Sequence, residues 1–222
     1  MSTALILPAF GRGSRMGMDK LWYDLDGRPL LAWTLGGLAG AGFDVAVIAA
    51  PRERWDAITT LADAAGLPAP RLVEGGERRQ DSVRQALERC AECEWACVHD
   101  AARPLVSAAL VRRALDGARE TGAATTAVPC VDTIKTVRDG HVIRTLDRSE
   151  LMATQTPQAF RTTLLRRAHQ QAVADGAGAD DDALLVERLG VAVAIVDGDP
   201  RNIKVTYAHD LDVIRALRGV AV

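Results

Sequence analysis

Four short strings in this 222-residue chain gather residue types suited to handling phosphate groups. The first is Pro8-Ala9-Phe10-Gly11-Arg12-Gly13-Ser14-Arg15-Met16, followed by Lys20. Gly11 and Gly13 tolerate backbone angles closed to other residues. Without side chains there, peptide N–H groups can approach a phosphate closely. Arg15 and Lys20 add the charge that a triphosphate requires. The second string is Gly75-Gly76-Glu77-Arg78-Arg79-Gln80-Asp81-Ser82-Val83, at the start of a helical pattern. A helix N-terminus offers unpaired N–H groups to an anion or a base, and Arg79 and Ser82 supply directional hydrogen bonds. The third is His99-Asp100-Ala101-Ala102-Arg103-Pro104. A carboxylate such as Asp100 suits Mg²⁺, a hard cation that prefers oxygen, and Arg103 suits bidentate pairing with a second phosphate. An Asp100–Arg103 ion pair that fixes the loop is the structural alternative, and His99 reads as structural rather than catalytic. The fourth is Pro200-Arg201-Asn202-Ile203-Lys204-Val205-Thr206.

Competing chemistries lack their signatures. The G-x-x-x-x-G-K-[ST] phosphate loop does not occur. The dinucleotide fingerprint G-x-G-x-x-G fails at its third glycine, where Met16 stands, which disfavours nicotinamide chemistry. Cys90, Cys93 and Cys97 with His99 do not make two ligand knuckles on turns, so ordinary thiols are expected rather than zinc. Lys plus Arg number 27 against 29 Asp plus Glu, so no bulk charge draws the chain to nucleic acid or to an anionic membrane. No apolar run approaches the ~18 residues of a membrane span. Residues 1–7 lack the basic and long apolar segments of a secretory signal, which makes a cytoplasmic location the expectation.

The positioning elements follow from periodicity. Residues 3–7, 44–50, 71–73, 95–99 and 123–128 are apolar runs that read as strands. Residues 30–40, 52–65, 80–90 and 107–121 read as helices, the last with Ser107 as N-cap. Strand and helix alternate, which predicts a mostly parallel, doubly wound α/β sheet. Ligands then bind beyond the carboxyl ends of the strands, so the loops after residues 7, 73 and 99 are the places to look. Asp139-Gly140 between two alternating segments predicts a hairpin that projects as an arm, at about residues 131–149. A helix near 161–174, strands near 191–196 and 203–206, and a helix over about 208–217 complete the expectation of one domain over residues 1–222.

Taken together, Gly76-x-x-Arg79-x-x-Ser82-Val83, His99 to Pro104, Asp132-Thr133-x-Lys135, Gln155-Thr156-Pro157-Gln158 and Asn202 to Thr206 resemble the bacterial 2-C-methyl-D-erythritol 4-phosphate cytidylyltransferases along essentially the whole chain. The resemblance implies a Rossmann-like nucleotidyltransferase fold and a homodimer joined by the hairpin arm, with CTP, Mg²⁺ and a polyol phosphate as partners. By motif position, Arg15 and Lys20 would bind the triphosphate and stabilise its transition state, with Lys204 as a third catalytic cation. Ala9, Phe10, Gly76, Glu77 and Ser82 would cradle cytosine and ribose beside Gly11, Gly13 and Arg79, and Asp100 would hold the metal. Arg103, Thr133, Arg148, Thr156 and Lys204 would hold the sugar phosphate. Thr133 and Arg148 lie on the arm and would serve the neighbouring subunit.

The chain departs from the family pattern at three places. Ala9-Phe10-Gly11 stands for Ala-Ala-Gly, Asp19-Lys20-Leu21 for Pro-Lys-Gln, and Asp180-Asp181-Asp182-Ala183 for a string that begins with threonine. The close alternatives are a cytidylyltransferase for another polyol phosphate, such as ribitol 5-phosphate, and a non-catalytic nucleotide-binding module. Intact Arg15, Lys20, Arg103 and Lys204 argue against the second.

Overall fold

The first strand shows why the sheet is covered on both faces. In β1 (Thr3–Pro8), Ala4, Leu5, Ile6 and Leu7 are all fully buried. Side chains alternate across a strand, so Leu5 and Leu7 enter one apolar cluster while Ala4 and Ile6 enter another. Each such leucine or isoleucine stabilises the fold by about 1.5–3 kcal/mol through burial. The computed structural model describes residues 1–10 and 19–219.

The chain continues through a small hairpin, β2 (Asp24–Leu25) and β3 (Arg28–Pro29), into helix α1 (Leu30–Leu38). Then follow β4 (Val45–Ala49), α2 (Trp55–Ala64), β5 (Arg71–Val73), α3 (Arg79–Leu87), β6 (Trp95–Val98), α4 (Ala108–Thr121) and β7 (Ala123–Pro129). The arm is β8 (Lys135–Arg138) and β9 (His141–Thr145). Last come β10 (Met152–Arg161), α5 (Thr162–Ala174), α6 (Asp182–Glu187), β11 (Ala194–Asp197) and α7 (Asp210–Gly219). Buried residues of α1, α2, α4 and α7 fill one cluster, and those of α3, α5 and α6 fill the other. No helix among the described residues is long and apolar enough to cross a membrane.

The main sheet has seven strands in the order β11-β7-β10-β6-β1-β4-β5. All neighbours pair in parallel except β10, which is antiparallel to both β6 and β7. The expected mostly parallel, doubly wound sheet is therefore present. From β1 the chain builds outward through β4 and β5, then returns to place β6 on the other side of β1. This switch point between β1 and β6 opens a crevice at their carboxyl ends, where Phe10 and Asp100 lie.

Most of the expected elements recur with their ends shifted by a few residues. Ser107 caps α4, its hydroxyl accepting from the Leu110 N–H at 3.2 Å. The segment at 52–65 divides into a 3₁₀ turn, Arg52–Arg54, and α2. Asp139 and Gly140 both have positive φ, 49° and 76°, as a two-residue hairpin turn requires.

Two expectations need correction. Residues 203–206 form no strand, and the buried Val205 makes one backbone bond, from its N–H to the Ala102 carbonyl. Ile203-Lys204-Val205-Thr206 alternates like a strand, but without a paired ladder it is an extended connection across the site. Conversely, β10 was not expected, because Thr154-Gln155-Thr156-Pro157-Gln158 is polar and contains proline. It sits in the middle of the sheet because its buried polar groups are satisfied. Gln158 Nε2 donates to Thr125 Oγ1 and to Asp181 Oδ2, and its Oε1 accepts from the Asp182 and Ala183 N–H groups. A register shift between Thr154 and Gln158 accommodates Pro157.

Candidate active site

Asp100 follows directly on β6 and is buried among cations. Arg79 Nε donates to its Oδ1 at 2.8 Å, and Lys204 Nζ lies 2.8 Å from its Oδ2. Arg103 Nε stands 3.7 Å from the same Oδ2. Burial alone would raise the Asp100 pKa, but Arg79, Lys204 and Arg103 outweigh it and hold the carboxyl far below the usual range. The group is therefore a permanent anion.

A short hydrogen-bond chain fixes the backbone beneath it. The Asp100 N–H donates to Thr156 Oγ1 at 2.9 Å, and Thr156 Oγ1 lies 3.2 Å from His99 Nδ1. His99 Nε2 lies 3.3 Å from the Arg103 carbonyl, which can only accept. The self-consistent assignment has the Thr156 hydroxyl donating to Nδ1 and Nε2–H donating to Arg103. Burial pushes the imidazole down to about 4, in keeping with this neutral form. His99 is structural, and Thr156 of β10 shapes the Asp100 loop while lining the cavity beside it.

Arg79 opens α3 and bridges two carboxylates, donating from Nη1 to Asp182 Oδ2 at 2.7 Å. Asp182 is buried and also lies 3.0 Å from His169 Nε2. Arg79 Nη2 and Arg103 Nε are buried with no hydrogen-bond partner among the described residues. Such donors are costly unless a ligand meets them, so the site presents spare guanidinium N–H groups to an anion.

Two cavities, each of about 170 Å³, meet at this junction and share Arg79, Asp100 and Lys204. Phe10, Lys20, Gly76, Glu77 and Ser82 line the first. Arg103, Thr154, Gln155, Thr156, Gln158, Asp180 and Asp181 line the second. The turn at Gly76 is built by Ser82, whose Oγ accepts from the Gly76 N–H and donates to the Arg78 carbonyl. Lys20 Nζ donates to the Val205 carbonyl at 2.9 Å, which ties the N-terminal loop to the Lys204 segment.

Most of the sequence-predicted residues thus converge. Ala9 does not line the first cavity; it is buried, with its N–H on the Ala49 carbonyl, and borders a neighbouring hollow. Thr133 and Arg148 are exposed on the arm and line neither cavity of their own chain, and Arg148 Nη1 donates to the Val131 carbonyl. Gly11, Gly13 and Arg15 lie outside the described residues. Sequence reasoning missed Asp182 and His169 as the anchor of Arg79. It also missed Asn202, whose carbonyl accepts from Arg103 Nη1 and whose Nδ2 donates to the Thr156 carbonyl.

Residues 3–218 match the family described as 2-C-methyl-D-erythritol 4-phosphate cytidylyltransferase. The protein of that name from Bacillus licheniformis is 39% identical, with 98% of this chain and 96% of that protein covered. The one from Deinococcus radiodurans is 42% identical, with 98% and 90% covered. The chain belongs to the 2-C-methyl-D-erythritol 4-phosphate cytidylyltransferase family.

Solved structures of the cytidylyltransferase family agree with this fold. The Thermus thermophilus enzyme superposes with a TM-score of 0.81 at 35% identity, covering 99% of this chain and 100% of that one. The 4-diphosphocytidyl-2C-methyl-D-erythritol synthase of Anaerococcus prevotii gives 0.87 at 26% identity, covering 99% of each. Against the cytidylyltransferase pattern, the Asp180-Asp181-Asp182 departure resolves into three separate roles. Asp182 anchors Arg79 and His169. Asp181 caps α6, accepting from the Leu184 N–H at 3.0 Å. Asp180 is exposed at the rim of the second cavity and carries the departure itself.

Proposed function

We propose that this protein transfers CMP from CTP to 2-C-methyl-D-erythritol 4-phosphate, giving 4-diphosphocytidyl-2-C-methyl-D-erythritol and pyrophosphate in non-mevalonate isoprenoid biosynthesis. The observation that carries the reading is the pair of cavities sharing Arg79, Asp100 and Lys204. One is lined by Phe10, Lys20, Gly76, Glu77 and Ser82, which suit a nucleotide, and the other offers cationic and polar groups to a sugar phosphate. The family match over residues 3–218 names the reaction.

The nucleophile is a phosphate oxygen of the sugar phosphate, already ionised near neutral pH. It forms a bond to the α-phosphorus of CTP. The bond from that phosphorus to the bridging oxygen breaks, and its electron pair leaves with pyrophosphate. No general base is needed, which suits a site where the buried histidine beside Asp100, His99, is neutral and occupied. Catalysis comes from holding two anions together and neutralising charge in the transition state. Lys20, with Arg15 from the same loop, serves the triphosphate. Lys204 stands at the junction and serves the reacting phosphates, while Arg103 and its spare Nε serve the sugar phosphate. Gly11 and Gly13 give the triphosphate backbone N–H groups, and Gly76, Glu77 and Ser82 hold the nucleoside.

Mg²⁺ fits the donor set. It binds through one or two carboxylates and keeps waters and substrate phosphates as its other ligands. Asp100, ionised and placed between the cavities, would hold it, and the ion would supply further neutralisation of phosphate charge. The protein acts in this reading as a cytoplasmic homodimer joined by the arm. A two-stranded arm with exposed Val131, Val137, Val142 and Ile143 lacks a covering layer of its own. Thr133 and Arg148 on such an arm would complete the neighbouring subunit's sugar-phosphate site.

Incubating the purified protein with CTP, Mg²⁺ and 2-C-methyl-D-erythritol 4-phosphate, with ³¹P NMR of the products, tests the reaction. A new diphosphodiester and one equivalent of pyrophosphate are expected. CTP binding without pyrophosphate release for any polyol phosphate would replace this reading with a non-catalytic nucleotide-binding module.

A further inference from the structure

We propose that the ring of Phe10 is the stacking platform for the nucleotide base, and that residue 75 is glycine so that the ring can lie there. The inference rests on the cytidylyltransferase reading and gives Phe10, placed in the base cradle above only by resemblance, a specific contact that belongs to this chain's own sequence.

Phe10 is the only aromatic residue among the described residues that line the first cavity. Its neighbours there include Gly76, Glu77 and Ser82, while Lys20, Arg79 and Lys204 provide charge in the same space. An aromatic ring beside Pro8, Leu21, Ala101 and Ala102, with cations in the same cavity, suits the flat face of a base joined to a polyphosphate. Trp22, which borders the adjoining hollow, already carries the Arg54 guanidinium over its ring at 4.5 Å.

The ring is also held in place. A Cβ added at Gly75 would stand 2.4 Å from both Cβ and Cγ of Phe10 and 2.5 Å from its Cδ2. These atoms are the root of the side chain, so the clash could not be relieved by a rotation at its tip. One residue earlier, the Ala9 N–H is tied to the Ala49 carbonyl at 2.7 Å, which fixes the backbone that carries the ring. Phe10 lines the adjoining hollow as well, alongside Ala9, Trp22 and Arg54. The ring therefore forms the partition between the two spaces, and truncating it removes a wall. Stacking is tolerant of base identity, since every base has a π-face. Phe10 thus sets affinity for a nucleotide as such, and discrimination between cytosine and uracil falls to the groups around Gly76 and Glu77.

The test measures binding of CTP and of inorganic tripolyphosphate, each with Mg²⁺, by calorimetry. Phe10→Ala should weaken CTP by about 5- to 150-fold, the range for loss of a base-stacking side chain. Phe10→Tyr should retain affinity, and tripolyphosphate, which has no base, should change by less than about twofold. Gly75→Ala should weaken CTP by itself but add nothing in a Phe10→Gly background, which removes the Cβ as well as the ring and so leaves no obstacle. Unchanged CTP affinity in Phe10→Ala, an equal loss for tripolyphosphate, or additive losses in the double variant would each overturn the proposal. Wild-type protein that binds no CTP would instead defeat the cytidylyltransferase reading on which it rests.

Discussion

Lys204 Nζ lies 2.8 Å from Asp100 Oδ2, so an unpaired C-terminal connection delivers a cation to the carboxyl end of a central strand. This contact joins the two cavities. In the proposed reaction it places a positive charge where the two substrates' phosphates would meet, and Lys20 joins the same segment by donating to the Val205 carbonyl. Lys204→Ala and Lys20→Ala should each lower turnover by roughly 10²–10³-fold, the scale for losing one preorganised charge stabiliser. Circular dichroism should show both variants folded. Turnover near wild type in either would refute the role assigned to that lysine.

The Asp182–Arg79 pair should matter for stability as well as for geometry. Asp182 is buried, and removing it leaves the Arg79 guanidinium with one carboxylate fewer and His169 with none. Breaking a buried pair from one side costs about 3–5 kcal/mol. Urea unfolding of Asp182→Ala should show a loss on that scale, with Asp182→Asn intermediate. A loss below about 1 kcal/mol, the level of an exposed pair, would contradict the buried network.

Two titrations set the acid side of the stability profile. His99 has its pKa lowered by burial from an ordinary 6.5 to about 4. The unfolded chain therefore binds more protons between those values, so stability falls as pH drops from about 6.5 to 4, by up to about 3 kcal/mol. Asp100 is held below the carboxylate range, opposed by burial but favoured by Arg79, Lys204 and Arg103. Its contribution is present above the ordinary carboxylate pKa and is lost as pH falls below it. Urea midpoints should thus decline through mild acid and then more steeply below about pH 4. A midpoint that is flat from pH 7 to 4.5 would contradict a neutral buried His99.

The arm makes a separate prediction. Sedimentation velocity of the wild type should report a dimer, and Ile143→Asp, at a residue 58% exposed in the single chain, should shift it to monomer. Arg148→Ala should keep the dimer and raise the KM for the sugar phosphate about tenfold, as expected for one lost charge-assisted hydrogen bond. A monomeric wild type or an unchanged KM would remove the arm from the site.

Much of this was legible in the sequence because it is local. Apolar runs marked β1, β4 and β6, Asp139-Gly140 marked the arm, and loops after strand ends marked the site. What was not legible depends on partners far apart in the chain. The polar strand β10 reads as a loop until Thr125, Asp181 and the α6 N–H groups are brought to Gln158. Ile203 to Thr206 has the alternation of a strand but no neighbour to pair with. Arg79 reads as a nucleotide ligand, and only the fold reveals that Asp100 and Asp182 already share it. Phe10 reads as a departure from the family pattern until Gly75 is seen beneath it.

The most direct test of the central claim is the ratio of kcat/KM for 2-C-methyl-D-erythritol 4-phosphate to that for ribitol 5-phosphate, with CTP and Mg²⁺ saturating. Asp180 at the rim of the second cavity makes the comparison specific to this chain. The account predicts a ratio well above one, with pyrophosphate release dependent on the methylerythritol phosphate. A clear preference for ribitol 5-phosphate would contradict it.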